Sequence, residues 1–213
     1  MIPTYTLLDI EKWSRRDHFY FYKAFDEPFY GITVNVDVSK AYQRSKDHGW
    51  SFFLYYLHTS LKAANSVENL RYRIHGESVR IFDTIQAAAT INRPDGTFGF
   101  SHIPYVEDFA EWLVLAEAEV ARVRAEKGLN PTLSGPDVIH YSAIPWLHFT
   151  SMSHARNLSI PDSVPKIYFG KIASEEDGRM MMPVSVHVHH ALVDGIHIAA
   201  FIEEFQELLL YNP

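Results

Sequence analysis

The chain changes its hydrophobic period several times along its length. Residues 31–38, GITVNVDV, alternate apolar and polar side chains, which predicts a half-buried strand. Residues 51–67, SFFLYYLHTSLKAANSV, are apolar nearly all round and read as a helix buried on most of its surface. Four strand-like runs follow over 71–101 (RYRIHG, SVRIF, TIQAAATI, TFGFS), with turn signals at His75-Gly76 and Pro94-Asp95-Gly96. This stretch predicts an antiparallel meander. The longest helical pattern covers 107–127, with Phe109, Leu113, Ala116, Val120 and Val123 in phase and Gly128 as its stop.

A short first helix is expected over 9–18, with Asp9 as N-cap. Further strands are expected around 138–142 and 166–172 and over 182–190. A closing helix follows at 195–211, with Ile198, Phe201, Ile202, Phe205 and Leu209 on one side. Helices and strand runs mix without strict βαβ alternation. The expected fold is α/β, a two-layer sandwich of a mixed, largely antiparallel sheet with helices packed on it. No repeat, low-complexity tract or linker divides residues 1–213, which read as one domain.

Composition narrows the function. With no cysteine, both a disulfide framework and a thiolate nucleophile are excluded. The start lacks the basic and apolar regions of a signal peptide, and no apolar run approaches a membrane span, so a cytoplasmic protein is expected. The formal net charge is −7 without a long basic run, which argues against nucleic acid as partner. An anionic ligand would need a local cluster of Lys or Arg.

The chemistry concentrates in 183–201, PVSVHVHHALVDGIHIAAF. On a strand, His187 and His189 share one face while Val188 and His190 share the other. His190 is expected at the strand end, before Asp194-Gly195 turns the chain into the last helix. A histidine held there is rigid yet reachable, which suits a general base. His187 and His189 read as sheet or interface residues. A metal site built on them is set aside, because H-x-H-H lacks further ligand spacing. For Asp194 the ordinary reading is an N-cap, a role compatible with a functional one.

The run from His189 to Gly195 resembles the HHxxxDG signature of the acyltransferase superfamily that includes chloramphenicol acetyltransferases, dihydrolipoyl acyltransferase cores and condensation domains of peptide synthetases. Trp13-Ser14-Arg15-Arg16-Asp17-His18-Phe19 is similar to the W-x-R-[KR]-[DE]-H-F opening of the chloramphenicol acetyltransferase family. Tyr141-Ser142-Ala143-Ile144-Pro145-Trp146 is similar to its S-A-x-P-W segment. The resemblance covers essentially the whole chain.

It implies an acetyl-CoA-dependent O-acetyltransferase acting on chloramphenicol, with antibiotic resistance as the associated role. His190 would be the base, Ser142 the donor to the oxyanion, and Asp194 the partner of Arg15 in a structural pair. Tyr22, Phe98 and Tyr168 would lie at the acceptor site, and Trp146 and Lys171 at coenzyme A. The resemblance also implies a homotrimer with active sites between subunits, and no metal. Three stretches depart from the family's wording: Tyr168 replaces a usual Thr, residues 86–92 are smaller and blander than the usual pocket strand, and residues 157–164 differ at the pocket edge. Two other readings stand beside this one: the same machinery with another hydroxylated acceptor, and a trimeric binding protein without turnover. A lipoyl acyltransferase core is disfavoured, since no lipoyl domain or linker precedes the motifs.

Overall fold

A computed structural model describes residues 3–129 and 135–211. The order of elements is β1 (Tyr5–Leu7), a 3-10 turn (Ile10–Lys12), α1 (Arg16–Lys23), β2 (Phe29–Asp37), α2 (Ser39–Asp47), α3 (Phe52–Ser66), a 3-10 turn (Glu68–Arg71), β3 (Tyr72–His75), β4 (Ser78–Phe82), β5 (Gln86–Asn92), β6 (Phe98–Phe100), α4 (Phe109–Ala125), β7 (Val138–Ile144), β8 (Lys166–Gly170), β9 (Ala173–Ser174), β10 (Met180–His189) and α5 (Gly195–Tyr211).

The main sheet runs β2-β10-β8-β7-β5-β6, and β9 adds to β10. Its β5–β7 and β7–β8 pairs are parallel, whereas the β2–β10, β10–β8, β5–β6 and β9–β10 pairs are antiparallel. A second sheet of β1, β4 and β3 stands beside it.

Strand parity gives the main sheet two unlike faces. One presents Ala87, Ala89, Ile139, Tyr141, Ile167, Phe169, Val184, Val186 and Val188, all buried. Helices α3 and α5 cover it, with Phe169 in ring contact with Tyr56 at 4.6 Å and with Phe205 at 6.1 Å. The other face presents Thr90, His140 and Ser142, then Lys166 and Tyr168, then Ser185, His187 and His189, as the cross-strand registers require. Gly31 sits opposite His187 on β2, and a Cβ there would meet the imidazole Cε1 at 2.5 Å. Glycine is what lets the ring lie flat over the strand.

Helices are capped where the sequence supplies short polar side chains. Ser51 accepts from the Leu54 amide at the start of α3, and Asp108 from the Glu111 amide at the start of α4.

Four expectations need correction. The expected helix over 9–18 splits: Asp9 caps only a single 3-10 turn, and α1 starts at Arg16 and runs to Lys23. The expected meander over 71–101 is also divided. β3 and β4 form a hairpin in the second sheet, whereas β5 leaves it to pair in parallel with β7. Helix α2 was not expected, because its sequence, SKAYQRSKD, buries only Ala41 and Ser45 and carries little apolar period. β10 ends at His189, and the His190 amide donates to the Pro28 carbonyl at 2.9 Å, beyond the ladder with β2.

Candidate active site

His190 is built into a tight corner between β10 and α5. Its imidazole stacks on Tyr22 of α1 (ring centroids 3.8 Å apart, 11° between planes) and tilts against Tyr30 of β2 at 4.4 Å. Tyr30 in turn donates its hydroxyl to the Val193 carbonyl at 3.3 Å, and burial pushes its phenol up to about 12. The ring is thus clamped, although the side chain keeps 29% exposure. Nδ1 is buried without a well-aligned hydrogen bond and has the Asp194 carboxylate at 3.3 Å. That carboxylate favours the proton on Nδ1, which leaves the lone pair on Nε2.

The backbone behind the ring is held by one guanidinium. Arg15 Nη2 donates to the His190 carbonyl and Nη1 to the Ala191 carbonyl, both at 3.0 Å, while Nε and Nη2 grip the Asp194 carboxylate. Burial alone would raise the Asp194 carboxyl, but Arg15 outweighs it and holds the group below the usual range. Asp194 therefore does not spend its carboxylate on the helix start. The side chain that closes the first turn of α5 is His197, whose Nδ1 accepts the Asp194 amide at 2.9 Å.

Ser142 lies on the opposite face of the sheet. Its Oγ shares a 2.9 Å hydrogen bond with Thr90 Oγ1 on the parallel neighbour β5. The pair stands at the meeting of two cavities, since Thr90 lines both. One, of about 490 Å³, is lined by Ser142, Tyr168, Phe98, His154, Arg156 and Lys166 among others. The second, of about 710 Å³, is lined by Ala143, Pro145, Lys171, Arg124, Phe52 and Asn92 among others.

The structure therefore sorts the expected site residues into two groups. Tyr22, Arg15 and Asp194 gather around His190, whereas Phe98 and Tyr168 gather with Ser142. Lys171 lines the larger cavity. The Trp146 indole is outside it, on the surface at 65% exposure. Within one chain, His190 and Ser142 are not brought together. Ser142 is in register with Tyr168, and Tyr168 with Ser185. His190 comes five positions after Ser185, about 17 Å of extended chain, and faces the other way.

Three residues of the Ser142 region escaped the sequence reading. Thr90 is the hydroxyl in an otherwise small apolar strand, but only the parallel β5–β7 pairing sets it opposite Ser142. His154 and Arg156 lie in the aperiodic stretch between β7 and β8, where no pattern points inward. Tyr168 bonds His154 Nδ1 through its hydroxyl. Lys166 donates to Asp162 at 2.5 Å, and Arg156 pairs with Glu27. Burial, reinforced by the Lys166 charge, pushes His140 and His154 down to about 4. His189 is pushed to about 4 by burial and by Arg156. Among the described residues, no group of three or more His, Asp or Glu side chains stands at metal-binding spacing.

Comparison with known proteins places these features in context. Residues 3–206 match the family model described as chloramphenicol acetyltransferase. The chain is 29% identical over 210 residues to chloramphenicol acetyltransferase 3 of Escherichia coli, a match that covers 96% of each. A solved chloramphenicol acetyltransferase structure superimposes with a TM-score of 0.90 and 31% identity, over 97% of this chain and 100% of that one. A probable dihydrolipoamide acetyltransferase from Listeria monocytogenes shares the fold, with a TM-score of 0.68 at 14% identity over 93% of this chain and 92% of that one.

Proposed function

The chain belongs to the chloramphenicol acetyltransferase family and is an acyltransferase, and on that premise we propose that it transfers the acetyl group of acetyl-CoA to a hydroxyl of chloramphenicol. Residues 1–213 would act as one catalytic domain. His190 Nε2 takes the proton of the acceptor hydroxyl, and the oxygen attacks the thioester carbonyl carbon directly. Ser142 Oγ–H donates to the oxyanion that forms. Collapse of the tetrahedral adduct expels the coenzyme A thiolate, which recovers the proton from the imidazolium. No covalent acyl-enzyme is needed, in keeping with a chain that has no cysteine.

The bond between Ser142 and Thr90 suits this role. With Thr90 donating to Ser142, the Ser142 proton is free for the oxyanion. The acceptor would occupy the cavity with Tyr168 and Phe98, with Tyr22 acting at His190. The pantetheine arm would occupy the larger cavity, where Lys171 offers a positive charge; Trp146, next in sequence to the lining Pro145, offers an exposed ring. Acetyl-CoA enters this scheme as co-substrate, and no metal is required.

The observation that carries the proposal is the split of the two catalytic groups between opposite faces of one sheet. Each half is fully constructed, yet neither can react with the other in a lone chain. We infer a homotrimer in which His190 of one subunit meets Ser142 of the next, within the cytoplasm. The decisive test is thiol release from acetyl-CoA in the presence of chloramphenicol, with His190→Ala as control. Release that needs both the drug and His190 supports the proposal. No drug-dependent release, from folded protein that still binds coenzyme A, shifts the acceptor to another hydroxylated compound. Folded protein without any acetyl transfer leaves the reading as a trimeric binding protein.

A further inference from the structure

Every backbone polar group from the His190 amide to the Asp194 carbonyl has a partner, and most of these partners lie outside any ladder or helix. The His190 amide donates to the Pro28 carbonyl at 2.9 Å, and the Leu192 and Val193 amides donate to the His189 carbonyl at 2.9 and 3.1 Å. The Ala191 amide donates to His189 Nδ1 at 3.2 Å, and the Asp194 amide to His197 Nδ1 at 2.9 Å. An amide N–H can only donate, so both rings present a lone pair at Nδ1 and carry their hydrogen on Nε2. Burial favours the same neutral state at His189 by pushing it down to about 4. The Asp194 carbonyl accepts the first amides of α5, those of His197 and Ile198.

The four carbonyls before it are held from outside the loop. Arg15 takes those of His190 and Ala191, each at 3.0 Å. Asn69 Nδ2 donates to the Leu192 carbonyl at 3.0 Å, and the Tyr30 hydroxyl to the Val193 carbonyl at 3.3 Å. The donors come from three separate places: the residue before α1, the 3-10 turn Glu68–Arg71, and β2. The side chains of Ala191, Leu192 and Val193 are buried as well. The imidazole is held less directly. Its Nδ1 makes no well-aligned hydrogen bond and has the Asp194 carboxylate at 3.3 Å. Its aim is therefore set by the backbone beneath it and by the two rings it packs on.

Among these donors Arg15 also serves the Asp194 pair, and Tyr30 also packs on the ring. Asn69 does neither. It lies 123 positions from Leu192 and outside the three motifs that mark the site. A carbonyl can only accept, so the amide nitrogen of Asn69 is the atom that must face it. We propose that Asn69 is a positioning residue for the base. It pins Leu192, two residues beyond His190, and keeps the turn from shifting the imidazole off the acceptor oxygen. The proposal rests on the acyltransferase reading and adds a residue to that same site. A misplacement of about 1 Å near a reacting group can cost on the order of 10²-fold in rate, so one bond in this loop is enough to be felt in turnover.

The test uses two variants of the full-length protein. Asn69→Leu removes the donor. Asn69→Asp removes it with nearly the same shape, since an ionised carboxylate can only accept, and it stands in should the leucine variant fail to fold. Each is assayed by thiol release from acetyl-CoA with chloramphenicol and by amide hydrogen exchange over residues 190–194. The expected result is a kcat lowered at least about tenfold, with both Michaelis constants within about twofold of the wild type. Exchange in the loop should rise at least about fivefold while α4 is unchanged. Faster exchange with kcat intact makes the bond structural only and overturns the proposal. A fall in kcat with exchange unchanged, or a change confined to the Michaelis constants, overturns it too. A wild type that releases no thiol, in which Asn69→Asp still loosens the loop, removes the acyltransferase reading and supports the hold of Asn69 on the His190 corner.

Discussion

Arg15 grips Asp194 through a two-pronged contact, Nε to Oδ2 at 2.7 Å and Nη2 to Oδ1 at 2.5 Å, across 179 positions of sequence. The same guanidinium reaches the His190 and Ala191 carbonyls. A single planar fork thus fixes the turn that aims the imidazole. Lysine keeps the charge but cannot make these contacts together. Arg15→Lys is expected to lose about 1–2 kcal/mol of stability and to lower activity in the same variant. A thermal melt alongside the thiol-release assay checks this. A fall in activity with an unchanged melt would contradict a structural role.

Ser142 and Thr90 give a second test. Ser142→Ala is expected to lower kcat on the order of 10²–10³ with little change in the Michaelis constant for the acceptor. Thr90→Val removes the hydroxyl that orients Ser142 and should cost about tenfold in kcat. An effect confined to the Michaelis constant would make Ser142 a binding residue.

The separation of His190 from Ser142 predicts complementation between inactive chains. In the proposed arrangement, His190→Ala and Ser142→Ala would each remove one half of every site. If the subunits mix at random in a trimer, about a quarter of the sites receive both intact groups. Co-expression of the two variants should therefore recover activity that neither shows alone. No recovery in verified mixed trimers would place both groups in the same subunit.

The imidazoles on the polar face make stability depend on pH. His140, His154 and His189 are each pushed down to about 4, against about 6.5 for an unfolded histidine. Their neutral forms are favoured in the folded state, so unfolding takes up protons between these values. Their contribution is fully present above pH 6.5 and is lost as pH falls toward 4. The urea midpoint should drop between pH 7 and pH 5 at constant protein concentration. A flat profile over that interval would show that these imidazoles titrate in the folded state as they do in the unfolded one.

The elements legible in the sequence were those whose period matched their environment. Helix α5 begins and ends where 195–211 predicted, because Ile198, Phe201, Phe205 and Leu209 recur at helical spacing and are all buried. The signature from His189 to Gly195 located the His190 corner, and the opening motif located its Arg15 partner. Pairing partners were not legible. Nothing local in TIQAAATI says that β5 abandons the preceding hairpin for β7, and so the alignment of Thr90 with Ser142 stayed hidden. The pocket edge was hidden for another reason. His154 and Arg156 face inward from a stretch with no repeating pattern, where only the folded path decides which side chains meet.

Arg73 joins the two sheets and supplies the last prediction. It is 1% exposed, and its guanidinium donates to four carbonyls, those of Pro136, Leu70, Tyr72 and Val138. Among the described residues no carboxylate pairs with it, and burial pushes it down to about 9. The contact fastens β3 to the start of β7, the strand that carries Ser142. Arg73→Leu takes the side-chain donor away from all four carbonyls, and each one left unpartnered in the interior costs about 1–3 kcal/mol. The expected loss is at least about 3 kcal/mol, large for a point substitution. Lysine, with one ammonium, cannot span the four acceptors and should recover only part of that loss. Denaturant midpoints for the three proteins at equal concentration decide the matter. A leucine variant as stable as the wild type would show that the carbonyls find other partners, and that the sheets are held together without this bridge.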